Sequence, residues 1–142
     1  MVEAGNRLEV AKQSLKDGLW SFCVRQSQEC VELSLKACLR LAGVEYPKEH
    51  DVSLVLLDSG GRFPGWFQGE IPVLADYSKT LVKMRGPSMY GDEMRGIPAE
   101  KLFVEKDAAY ALEGADRALS AAKRLLDQTR GLQGRPGRSA DS

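Results

Sequence analysis

The sequence predicts an all-α fold, an antiparallel up-and-down bundle of about five helices. Three observations carry that prediction. Apolar residues recur at three- and four-residue spacing over four long stretches, glycine or proline punctuates the joints, and no stretch alternates as a strand would.

The first stretch runs from Val2 to Lys16, where Ala4, Leu8, Ala11 and Leu15 share one face and charged residues fill the other. Asp17 and Gly18 break it, and so short a turn folds the next helix back antiparallel. That second helix, about Trp20 to Leu41, is the most apolar and is expected at the centre. Its outer side carries Arg25, Glu29, Glu32, Lys36 and Arg40 in one charged stripe, which spacing alone reads as a solvated face. Gly43 supplies a left-handed cap, with Tyr46 and Pro47 just beyond. Asp51 then caps a short helix that turns Val52, Leu54, Val55, Leu56 and Leu57 inward. Phe63, Trp66 and Phe67 lie in a loop against the core, and Pro72 opens a third long helix that carries Leu74, Leu81 and Met84 and ends at Gly86 and Pro87. After Ile97 and Pro98 a last helix runs to about Leu126 with an alanine-rich face. Residues 1–128 therefore form one helical domain, and residues 129–142, which carry glycine, proline and charge without periodicity, form a disordered tail.

Composition narrows the function. The 142 residues suffice for one core, and no apolar run approaches the ~18 positions of a membrane span. A secretory leader is absent, so a cytoplasmic protein without membrane attachment is expected. Twenty basic and twenty acidic residues cancel, so any contact with nucleic acid must use a local patch. Cys23, Cys30 and Cys38 fall on one side of the central helix as core residues, not as a disulfide or zinc framework. No nucleotide-binding glycine loop, zinc-protease or nucleophile-elbow motif occurs, and a carboxylate di-metal centre would need helical ExxH motifs that are missing. No metal and no cofactor are expected.

One stretch concentrates reactive side chains. In "MRGPSMYGDE", Arg85 to Glu93 place a guanidinium, a phenol and two carboxylates beside a helix end. A purely structural account has Arg85 answering the helix dipole and pairing with Asp92 or Glu93 while Tyr90 buries its ring. A chemical account uses Arg85 as a fork-shaped phosphate ligand and Tyr90 as a hydrogen-bond donor or stacking surface. His50 is the sole histidine, and its plainest role is that of a turn residue beside the Asp51 cap.

The string "GLWSFCVRQSQECVELSLKACLRLAGVEYPKEHDVSLVL" resembles the first half of a HEPN domain, with Gln28, Glu32 and Lys36 where that pattern wants them. The string "MRGPSMYGDEMRGIPAEKLFVEKDAAYALEGADRAL" is similar to the second half in archaeal and bacterial HEPN proteins. The likeness extends from about Val2 to Leu126. It implies a bundle of about five helices, usually homodimeric, whose paired inner faces make a cleft. It also implies a toxin-like role beside a separately encoded minimal nucleotidyltransferase, or metal-independent cleavage of RNA. RNase members carry an arginine, four to six residues, then a histidine. Here Arg85 is followed at that place by Tyr90, and no histidine occurs downstream. A phenol with a pKa near 10 is a weak base at neutral pH, so binding of RNA or a nucleotide by Arg85, Tyr90, Lys36, Glu32 and His50 is the leading expectation. Catalysis through Arg85 with Tyr90, or with His50 in the dimer, comes second. A protein-interaction module using Trp66, Phe67 and the alanine-rich helix comes third.

Overall fold

The computed structural model describes residues 1–133, and its elements are α1 (Val2–Lys16), α2 (Trp20–Leu41), α3 (Ser53–Asp58), a single 3-10 turn (Gly60–Arg62), α4 (Gly65–Tyr90), α5 (Ala99–Leu102) and α6 (Glu105–Gln133). Among the described residues there is no strand, only one isolated bridge between Asp92 and Ile97. The four long helices alternate in direction. Trp66, Glu70 and Tyr77 of α4 meet Gln128, Arg117 and Glu113 of α6 in descending order, so those helices are antiparallel. In contrast, the thiols of Cys23 and Cys30 donate to the carbonyls of Ala108 and Ala115, both at 3.7 Å, so α2 and α6 run parallel.

The predicted joints form as expected at both ends of α2. Gly18 takes φ +74° while Leu19 N–H reaches back to Ser14 O at 2.9 Å, and Gly43 takes φ +70° while Val44 N–H reaches Leu39 O at 2.9 Å. The seam between α2 and α6 is narrow because Ala108, Ala111, Ala115, Ala118 and Ala122 line it without exposure to solvent. Around it Leu35, Leu39, Leu56, Phe67, Leu74 and Leu81 are fully buried. The three cysteines are reduced and buried within this core.

Five local expectations are corrected. Helix α4 begins at Gly65, with Pro64 as its extended N-cap, so Trp66 and Phe67 are helical and Pro72 lies well inside. The same helix passes through Gly86 and Pro87 to Tyr90, because a proline removes only the bond to the carbonyl four residues back, and Lys83 there is exposed to water. Around α3, Val52 at its N-cap and Leu56 are fully buried and Val55 packs partly against the core, whereas Leu54 is 76% and Leu57 50% exposed, since so short a helix has one inner face. The last helix is interrupted at Phe103, whose extended backbone seats its ring in the core, and Asp107 then caps α6 by accepting Val104 N–H at 2.9 Å. Finally, α6 continues to Gln133, so positions 129–133 of the expected tail are helical, and 134–142 lie outside the described residues.

Candidate functional site

The outer side of α2 is flanked by α1 and α4, and the strip between them is called the trough. Stripe residues Arg25, Glu29, Glu32 and Lys36 are all half-buried there, because neighbours lean over them. From α1, Arg7 Nε stands 3.5 Å from Glu29 Oε2, and from α4, Arg85 Nη1 stands 3.7 Å from Glu29 Oε1. The expectation of a solvated face is thus overturned. Two helices bracket one carboxylate.

Arg85 makes its short bond elsewhere, donating from Nη1 to Gln28 Oε1 at 2.6 Å. Gln28 is 1% exposed, and its amide Nε2 donates onward to Glu32 Oε1 at 3.0 Å. The amide orientation is fixed, since a guanidinium only donates and a carboxylate only accepts. Glu32 also accepts Lys36 Nζ at 2.8 Å through Oε2 and meets His50 Nδ1 at 2.8 Å through Oε1. Partial burial raises the Glu32 pKa, but hydrogen bonds from Lys36, Gln28 and His50 outweigh it and hold the carboxyl below its usual value. Lys36 in turn lies 5.7 Å from the Tyr46 ring centroid, and Arg40 donates to the Tyr46 hydroxyl at 3.2 Å.

His50 reaches this network because the loop that carries it is tied to α4. Asp51 Oδ1 accepts Ser53 N–H at 2.8 Å and the Ser78 hydroxyl at 3.1 Å, while Val52 N–H donates to Ser78 Oγ at 3.1 Å. Ser78 is itself buried. A turn of polar chain is thereby pinned to a long helix, and His50 projects from its edge with its side chain 52% exposed.

Of the residues expected at a site, Arg85, Glu32, Lys36 and His50 come together. Tyr90 does not join them. It is 67% exposed, and five helical positions beyond Arg85 place it about 140° further around α4. Asp92 pairs with Arg95 at 2.7 Å, which lowers its pKa, and neither Asp92 nor Glu93 pairs with Arg85. The loop they occupy borders a separate open cleft of about 460 Å³, walled by Met84, Pro87, Met94, Leu102 and Phe103. Trp66 and Phe67 both make contacts within the fold: Phe67 is buried, and Trp66 bonds Gln128 at 2.8 Å beneath the Arg124 guanidinium, 4.0 Å from the ring centroid.

Three contributors were not singled out from sequence as site residues. Gln28 belongs to the Gln28, Glu32, Lys36 series at i,i+4 spacing, a signal that one helix face carries a hydrogen-bonded ladder. Glu29 carried only the stripe signal, and Arg7 none. In the trough, Arg7, Arg25, Lys36 and Arg85 face Glu29 and Glu32, with Glu3 of α1 4.0 Å from Arg7, so a protein of zero net charge carries a small local excess of positive charge there. Arg25 Nε is a buried atom without a hydrogen-bond partner among the described residues, and Arg7 Nε, also buried, has only its 3.5 Å ion-pair contact with Glu29. Such donors are costly unless an acceptor arrives. No group of metal-ligating side chains occurs among the described residues.

These features define a helical-bundle protein with a cationic, hydrogen-bonded trough. The HEPN domain family model matches residues 1–131, and the chain belongs to that family. It is similar to the Methanocaldococcus jannaschii protein named "Putative toxin MJ1304", with 31% identity over 132 residues that cover 89% of this chain and 85% of the relative. No solved structure matches the chain significantly. No helix among the described residues is long and apolar enough to cross a membrane.

Proposed function

We propose that this HEPN protein is a toxin-like component that binds the phosphate groups of RNA or of a nucleotide in the trough over α2. Arg85 is the principal phosphate ligand, Lys36 and Arg25 supply further positive charge, and Glu32 and Gln28 hold the cations in place. The observation that carries this reading is the clustering of Arg7, Arg25, Lys36 and Arg85 around Glu29 and Glu32 on one strip of surface. Arginine suits that task because its planar fork matches phosphate oxygens and never loses its charge. Tyr90 enters only as an exposed ring on which a base can stack. The relative's toxin name supports a toxin-antitoxin setting, and the family resemblance supports a homodimer that works with a separate nucleotidyltransferase.

Calorimetric titration with single-stranded RNA and, in parallel, with ATP tests this reading and separates the two ligand sources. Arg85→Ala is expected to weaken binding by tenfold or more. Equal binding by wild type and variant would remove Arg85 from the site.

A further inference from the structure

Glu29 is held differently from Glu32, its neighbour on α2. Glu32 receives Lys36 Nζ and His50 Nδ1 at 2.8 Å each, whereas Glu29 stands between two guanidinium groups, 3.5 Å from Arg7 Nε and 3.7 Å from Arg85 Nη1, without a hydrogen bond to either. A charge-assisted N–H···O bond settles at about 2.7–2.9 Å, so these contacts are roughly 0.6–1.0 Å too long. One carboxylate underfills the gap between α1 and α4. Nor are the arginines spent: Arg7 has only one other ion pair, the loose 4.0 Å contact with exposed Glu3, and Arg85 gives its one hydrogen bond among the described residues to Gln28. Each guanidinium carries five N–H donors, so most of their capacity is open. Arg25, one turn before Glu29 on α2, adds a buried Nε without an acceptor among the described residues.

A terminal phosphate group is larger than a carboxylate and turns three oxygens in different directions, which suits two facing forks that a single carboxylate cannot reach together. The side chain of Glu29 is 24% exposed, so a change of rotamer carries its carboxylate to water. We propose that the gap between Arg7 and Arg85 is an anion seat for a terminal phosphate group, with Arg7 as a second phosphate ligand and Glu29 as its displaceable occupant. The inference rests on the phosphate-binding reading above and deepens it by naming the residue that sets affinity. In the empty seat Glu29 keeps the two cations from repelling each other. On binding it swings toward solvent, and the phosphate ties α1 to α4. Charge then decides which phosphate is favoured. A backbone diester exchanges one negative charge for the one Glu29 withdraws, whereas a terminal phosphate, whose second pKa is about 6, brings nearly two at neutral pH.

The test titrates the full chain calorimetrically, at fixed ionic strength, with one single-stranded RNA in 5'-phosphorylated and 5'-hydroxyl forms and, in parallel, with ATP. Wild type should bind the phosphorylated RNA more tightly than the hydroxyl form. Glu29→Gln should tighten binding of every ligand about tenfold and narrow the preference for the terminal phosphate, and Arg7→Gln should weaken binding about tenfold. Glu3→Gln makes the same change in net charge beside Arg7 but outside the gap, and should stay within about twofold of wild type. Thermal melts confirm that each variant is folded, and Glu29→Ala, which also removes the carboxylate, should repeat the gain. Weaker or unchanged binding by both Glu29 variants would overturn the inference, as would an equal gain in Glu3→Gln, an indifferent Arg7→Gln, or equal affinity of wild type for the two RNA forms. Any of these, with binding still lost in Arg85→Ala, would leave the phosphate-binding reading standing. Binding by Glu29→Gln where wild type binds nothing would support the inference, and no binding by any variant would remove both readings together.

Discussion

Arg85 and Gln28, 57 positions apart in the chain, share a 2.6 Å hydrogen bond, the shortest between side chains among the described residues. It links the last turns of α4 to the middle of α2 and gives a buried amide two charged neighbours. Everything proposed for the trough depends on this crossing.

Replacing Gln28 by leucine keeps the volume but leaves Arg85 Nη1 and Glu32 Oε1 each without one partner. A cost of about 1–3 kcal/mol follows from stranding polar groups at a buried site. Urea unfolding of Gln28→Leu measures it. A variant as stable as wild type would mean that water replaces the amide.

Stability should fall in acid partly through Glu32. Its folded-state pKa is depressed, so its stabilising contribution is complete above the ordinary carboxylate value near 4.3 and disappears as pH drops through the lower folded value. Glu32→Gln should flatten the dependence of the unfolding midpoint on pH between about 5 and 3. Glu70 and Asp92 also have lowered values, through Arg117 and Arg95, so the variant's slope should diminish without vanishing.

Ser78→Ala removes the hydroxyl that accepts Val52 N–H and donates to Asp51. Thermal unfolding should register about 1–2 kcal/mol of destabilisation. Because His50 is the sole histidine, its ring signals in an NMR spectrum are unambiguous, and they should move toward those of a freely solvated imidazole. Unmoved signals would show that Glu32 alone holds the ring.

Gly114 on α6 faces Tyr77, where an added Cβ would collide with the ring. Tyr77 has little room to yield, since its hydroxyl donates to Glu113 at 3.2 Å and its ring lies 5.0 Å from that of Tyr110. Alanine gains up to about 1 kcal/mol of helix propensity over glycine, but overpacking costs roughly 1–3 kcal/mol. Gly114→Ala should therefore melt lower than wild type, and a higher midpoint would reveal a ring free to swing aside.

The fold was legible where periodicity and punctuation agreed. Gly18 and Gly43 marked the ends of α2, and its apolar positions marked the centre. Reading fails where a helix runs through its own breakers: Pro87 reads as a stop, yet the buried Ser88 just beyond it donates to Arg85 O at 2.7 Å and Gly91 N–H reaches Pro87 O at 2.9 Å. The site was half legible. Glu32 and Lys36 reveal their pairing by spacing, and Arg85 its chemistry by type, but nothing local says that His50 meets Glu32. That contact arises from a loop closed by Asp51 and Ser78, which sequence separates by 27 positions. For the same reason the linear distance from Arg85 to Tyr90 misled, because a continuous helix turns the two apart.

The parallel seam between α2 and α6 has a kinetic consequence. Burial pushes the Cys30 thiol up to about 11 and Cys38 up to about 12, so both are protonated and shielded while the helices stay together. A thiol reagent can modify them only in molecules whose core has opened around α2. The labelling rate of these native cysteines thus serves as a clock for the opening of the bundle, with no probe to be introduced.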